Sequence, residues 1–139
     1  MAQITVTAAQ VAPVFPDRAE IYDFIASATI TKGQAVYQDA SGGVALADGS
    51  TDSTAQFKGI AVTGAGTGGA VSVLKRGHVY GFTLSSADYD ALLYVADTAG
   101  VLSDAAGTVT AGVGRVVGLT DADRTKVLYV DADWGKTYS

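Results

Sequence analysis

Apolar positions along this chain come in short runs rich in Val, Ile, Tyr, Phe and Thr, each broken within several residues by Gly, Asp or Ser. Runs of that length and composition mark strands separated by turns. The pattern predicts strands at Tyr22 to Ala26, Gln34 to Gln38, Phe57 to Thr63, Val71 to Lys75, His78 to Thr83, Leu92 to Val95, Gly114 to Thr120 and Lys126 to Asp131. Between them Gly42-Gly43, Asp48-Gly49, the run Gly64 to Gly69, and Gly107 supply the positive φ that tight turns demand. Arg76-Gly77 reads as the entry to a further hairpin. Ile21, Phe24, Ile25 and Ala28 have helical spacing, but the β-branched run Thr29-Ile30-Thr31 that follows favours a strand. Ser85-Ser86-Ala87-Asp88 reads as a short surface turn. The expected fold is all-β, a small β-barrel or β-sandwich of about eight short strands.

The second half of the chain echoes the first. Val36-Tyr37-Gln38-Asp39 leads through Gly43 and Asp48-Gly49 to Phe57-Lys58-Gly59-Ile60. Leu93-Tyr94-Val95-Ala96-Asp97 leads through Gly100, Asp104 and Gly107 to Val113-Gly114-Arg115-Val116, with spacing that agrees within one residue. Each unit reads strand, glycine-rich hairpin, strand, and each is followed by one more apolar strand. Either a duplication or two meanders converging on the same turn chemistry would produce it, with the same fold.

Residues 1–20 have a different texture, ending in Val11-Ala12-Pro13-Val14-Phe15-Pro16. The prolines hold φ and keep their predecessors extended, so this segment is expected to be an arm on a single all-β domain of residues 21–139. Val11, Pro13, Val14, Phe15 and Pro16 are its candidate contact residues, against the chain's own domain or a neighbouring subunit.

Composition narrows the function. With 139 residues, 48% hydrophobic and no cysteine, the chain can bury a core without disulfides, and thiol chemistry and zinc ribbons are excluded. The formal charge of −5 offers no positive patch for a phosphate backbone, so no nucleic-acid partner is expected. No uncharged apolar run approaches membrane-spanning length, and no membrane partner is expected. Ahead of Arg18 there is neither Lys nor Arg, so the expectation is folding in the cytoplasm of the producing cell, without a secretory leader.

The inventory for catalysis is thin. His78 is the only histidine and Glu20 the only glutamate. General acid–base chemistry needs a poised acceptor beside a nucleophile, so no enzyme, catalytic residue or cofactor is expected. Gly64-Ala65-Gly66-Thr67-Gly68-Gly69 matches a dinucleotide fingerprint in letters, but Ala70-Val71-Ser72-Val73-Leu74 after it alternates like a strand and supplies no helix N-terminus. Gly135-Lys136-Thr137 lacks the first glycine of a P-loop, Val130 standing in that place. Asp121, Asp123, Asp131 and Asp133 alternate as calcium ligands do, but without a complete loop they read as turn residues, and no metal is expected. Trp134 and Tyr138 form a candidate aromatic contact patch or a cap on the barrel end.

Four stretches carry a family resemblance: Ile30-Thr31-Lys32-Gly33-Gln34-Ala35-Val36-Tyr37, Phe57-Lys58-Gly59-Ile60-Ala61-Val62, Val73-Leu74-Lys75-Arg76-Gly77, and Leu93 through Ser103. Together they resemble the small capsid decoration, or cement, proteins of tailed bacteriophages. The likeness lies in strand-and-glycine patterning and brings no active-site signature. It implies an all-β module, commonly a homotrimer, seated on the capsid exterior of the virion where major capsid protein subunits meet. A terminal arm would reach across the shell, a part that only Ala2 to Pro16 could play. Head-fibre and tail-fibre modules share such patterning, which leaves open a second reading: a module recognising a host-surface glycan through Trp134, Tyr138 or the Gly64 to Gly69 loop.

Overall fold

The computed structural model describes residues 3–139. Among them the chain forms ten strands: β1 (Gln3–Ile4), β2 (Glu20–Ile25), β3 (Ala35–Gln38), β4 (Val44–Leu46), β5 (Phe57–Ala61), β6 (Ala70–Val79), β7 (Leu92–Val95), β8 (Leu102–Ser103), β9 (Gly112–Gly118) and β10 (Lys126–Asp131). All ten belong to one antiparallel sheet in the order β1-β8-β7-β9-β10-β6-β5-β3-β4, with β2 added on β6. The protein is all-β, as its pattern predicts. Twist curls so long a sheet, and its far ends meet: Gly49 N–H donates to Ala96 O at 2.8 Å and Gly100 N–H to Ala47 O at 2.7 Å.

The sequence echo has a structural counterpart. Reading outward from the β10–β6 pair, the order β9-β7-β8 on one side mirrors β5-β3-β4 on the other. Both halves also shift register at corresponding points, between Val36 and Tyr37 and between Leu93 and Tyr94. The side chains do not superpose. Tyr37 packs against the main core, whereas Tyr94 lines a groove on the outer face. A one-residue difference in phase is enough to turn a strand residue to the other face.

One predicted boundary is corrected. Arg76-Gly77 does not open a hairpin; β6 runs through it from Ala70 to Val79. That length lets β6 pair with β5 at Val73–Leu74, with β10 at Arg76–Val79 and with β2 at Ala70–Arg76. Gly77 is glycine because the chain passes close by: a Cβ there would sit 3.3 Å from Ala19. Of the segment expected as a strand from His78 to Thr83, the part beyond Val79 contributes only the bridge of Phe82 to Val6. Ile21 to Ala26 is strand, not helix.

Alternation divides the apolar residues into two cores. Phe57, Ile60, Leu74, Leu93, Leu102 and Leu128 fill the inside of the curl with Val79, Val95, Val116 and Val130. On the outer face of the first half, Ala26 and Ile30 close over Val36, Val44, Ala61, Val71 and Val73, with Phe24 packed at the edge. β6 thus serves both cores, Leu74 and Val79 on one face, Val71 and Val73 on the other.

The arm is not extended throughout: a 3₁₀ turn at Ala8–Gln10 interrupts it and another begins at Pro16, and the segment lies on its own domain. β1 pairs with β8, Val6 bridges to Phe82 and Pro13 to Val79. Tyr80 N–H donates to Ala12 O and Val14 N–H to His78 O, both at 2.9 Å. Ile4 and Val11, 6% and 1% exposed, are members of the main core. Gly81 makes this seat possible: its φ is +106°, and a Cβ would come within 2.7 Å of the Val11 side chain.

Candidate functional site

An open groove of about 480 Å³ lies on the outer face of β7, β9 and β10. Its existence follows from strand alternation. Leu93, Val95, Val116, Leu128 and Val130 face the main core. Their neighbours Leu92, Tyr94, Arg115, Val117, Tyr129 and Asp131 face outward and line the groove, over a floor that includes Gly112 and Gly114.

The chain end closes one side. Tyr138 is 5% exposed, and its backbone exchanges hydrogen bonds with the Gln56 side chain: Tyr138 N–H donates to Oε1 and Gln56 Nε2 donates to the Tyr138 carbonyl, each at 2.9 Å. Burial, helped by the charge of Asp133, raises the pKa of its phenol above the ordinary value. The Lys136 ammonium lies 5.3 Å from the Tyr138 ring centroid. At the rim, Arg115 donates to the Asp90 carbonyl at 2.8 Å. Arg76 donates to Asp131 at 2.8 Å and to Glu20 at 3.3 Å. These ion pairs are exposed, so they orient side chains more than they stabilise the fold.

The predicted contact residues fall in separate places. Pro13, Val14 and Phe15 are half-buried against the chain's own barrel, and Pro16 begins an exposed 3₁₀ turn, Pro16–Arg18. Tyr138 lines the groove, but Trp134 does not. The indole is held between β2 and β5, with Nε1 donating to Lys58 O at 2.8 Å and Tyr22 and Phe24 rings at 5.0 and 6.1 Å. The ammoniums of Lys58 and Lys75 lie over its ring at 5.0 and 4.5 Å. Trp134 therefore staples the sheet, and the two aromatics form no common platform. Tyr94, Tyr129, Arg115 and Gly112 are not among the contact residues that the sequence singles out. The alternation of Leu93 and Val95 around Tyr94 was the available signal, but nothing in it said which face would be covered.

Other candidates are occupied by local structure. The Asp121 carboxylate accepts from the Thr125 hydroxyl and N–H, which lowers its pKa and pins the turn before β10. Asp133 accepts from Gly135 N–H. Among the described residues no three His, Asp or Glu side chains gather as metal ligands do. Gly64 to Gly69 is the β5–β6 tip, tied to the covering segment: Gly68 N–H donates to Ala26 O and Ala26 N–H to Gly69 O, each at 2.8 Å.

His78 sits among rings, edge-on to Phe15 at 5.1 Å and tilted to Tyr129 at 5.0 Å. Burial, and secondarily the charge of Arg18, lowers its pKa below the ordinary 6.5. The fold therefore favours the neutral ring. As pH falls below 6.5 the unfolded chain binds a proton that the native state resists, so stability drops through that window down to the depressed native value. Urea unfolding at pH 7 and pH 5 should show a smaller loss for His78→Gln than for the parent; equal losses would contradict the assignment.

Comparison with protein-family models, with curated proteins and with solved structures finds no match to this chain.

Proposed function

We propose that this protein is a structural virion subunit: a capsid decoration, or cement, protein that binds the exterior of a phage head and stabilises the shell by bridging capsomers. It acts without catalysis, as a homotrimer, with the major capsid protein as its partner. The observation that supports this reading best is β2. Among the described residues β6 is its only strand neighbour, and it displays Ile21, Tyr22 and Ile25 at 39, 42 and 56% exposure. An apolar edge strand is costly to leave bare, because it invites pairing with another chain. In a subunit that works by adhesion such an edge is useful, and repetition around a symmetry axis multiplies modest contacts.

The test is attachment. Ile25→Lys places a charge on that edge without touching either core, so its thermal midpoint should match the parent's. Its occupancy on purified capsids of the source phage should fall about tenfold or more, the equivalent of ~1.4 kcal/mol. Full occupancy by the variant would remove β2 from the contact, and virions without any copy of the chain would end the proposal.

A further inference from the structure

The two halves of the mirrored sheet treat their outer faces differently. On the first half the chain covers the face itself, with Ala26 and Ile30. On the second half the strip around Tyr94 and Tyr129 stays open as the groove. Gly112, on its floor, pairs with Tyr94 beside the register shift of β7 and β9, but neither its own conformation nor crowding demands glycine. Its φ is not positive, and an added Cβ would meet only the Leu92 side chain at 3.5 to 3.9 Å, ordinary contact distances. Glycine inside a strand lowers stability, so what it contributes here is room.

We propose that this groove is a binding site for a neutral saccharide. Its volume falls in the range of small-molecule sites, roughly 300–1,000 Å³. Tyr94 and Tyr129 line it with half-buried rings that can meet the C–H face of a pyranose, while Tyr138, 5% exposed, walls it with its hydroxyl turned to the Gly112 carbonyl. The Arg115 guanidinium and the Asp131 and Asp133 carboxylates supply the donors and acceptors that sugar hydroxyls use in pairs. Asp90, Asp131 and Asp133 line the groove with Arg115 and Lys136, and Arg76 beside it is already paired with Asp131 and Glu20, so on a chain of net charge −5 no cation is left in excess for an anionic ligand. An apolar protein segment like the one on the first half would strip water from these rim charges without repaying them. The proposal stands apart from the attachment reading and fails or survives separately.

The experiment is an NMR titration of the ¹⁵N-labelled full chain with neutral trisaccharides of glucose, galactose, mannose and N-acetylglucosamine. At least one should give saturable shifts at Leu92, Gly112, Arg115 and Tyr129. Gly112→Val, which fills the floor with a strand-favouring residue, should weaken that binding about tenfold or more at an unchanged thermal midpoint. Arg115→Ala, an exposed change, should also weaken it and serves if the valine variant folds poorly. The proposal is overturned if no sugar saturates, if the shifts map elsewhere, or if both variants bind like the parent. Loss of capsid attachment by Gly112→Val with no sugar response would also overturn it, assigning the groove to a protein contact.

Discussion

Gly114→Ala is expected to destabilise the protein by about 3 kcal/mol or more, a large part of the roughly 5–15 kcal/mol that holds a domain together. Gly114 lies in β9, paired with Leu93 of β7 and Val130 of β10. A Cβ at this position collides with the Tyr129 carbonyl oxygen and would also sit 3.0 Å from the Val130 Cα. Both are backbone atoms inside a ladder, so no rotamer change relieves the overlap and β9 and β10 must separate. Gly59 is in the same position in the other half, where a Cβ collides with the Leu74 carbonyl. Gly66, by contrast, has nothing within 4 Å of an added Cβ, so Gly66→Ala should stay within about 0.5 kcal/mol of the parent. Urea midpoints of the two variants, taken side by side, test the sheet spacing; equal midpoints would refute it.

Deleting residues 3–16 is expected to lower the thermal midpoint by about 10 °C or more. The deletion removes Ile4 and Val11 from the main core, each worth about 1.5–3 kcal/mol of burial, and a kilocalorie shifts a domain of this size by several degrees. It also bares the cavity wall around Gly33 and Gly81, against which Val6 and Val11 pack. Val11→Ala alone should cost about 2 kcal/mol, because a residue 1% exposed leaves a cavity when shortened. Differential scanning calorimetry of the deletion and the point variant would settle it. A truncated chain that melts with the parent would show the arm to be dispensable to its own domain and available for another subunit.

Much of the architecture was legible in the residues. The β-branched runs and their glycine breaks place most of the main strands, and the echo between Val36-Tyr37 and Leu93-Tyr94 marks two similar strand–hairpin–strand units, whose mirrored order in the sheet came only from the structure. The prolines at 13 and 16 signal an arm, but not the 3₁₀ turn at Ala8–Gln10 that interrupts it. The errors are instructive. Arg76-Gly77 carries the same letters as a turn, but there glycine answers a crowding by Ala19 that is distant in sequence. Trp134 and Tyr138 are neighbours in the chain, yet one staples β2 to β5 and the other walls a groove.

That this protein is built of short strands, and where most of them lie, was readable from the residues alone, because period-two alternation and turn chemistry are local properties of the chain. The tertiary structure alone decided which face of each strand is covered. That choice rests on which segments return across the sheet: residues 24–30 return over the first half and leave the second half open, and no local pattern in β7, β9 or β10 encodes where a segment so far away in the chain will lie.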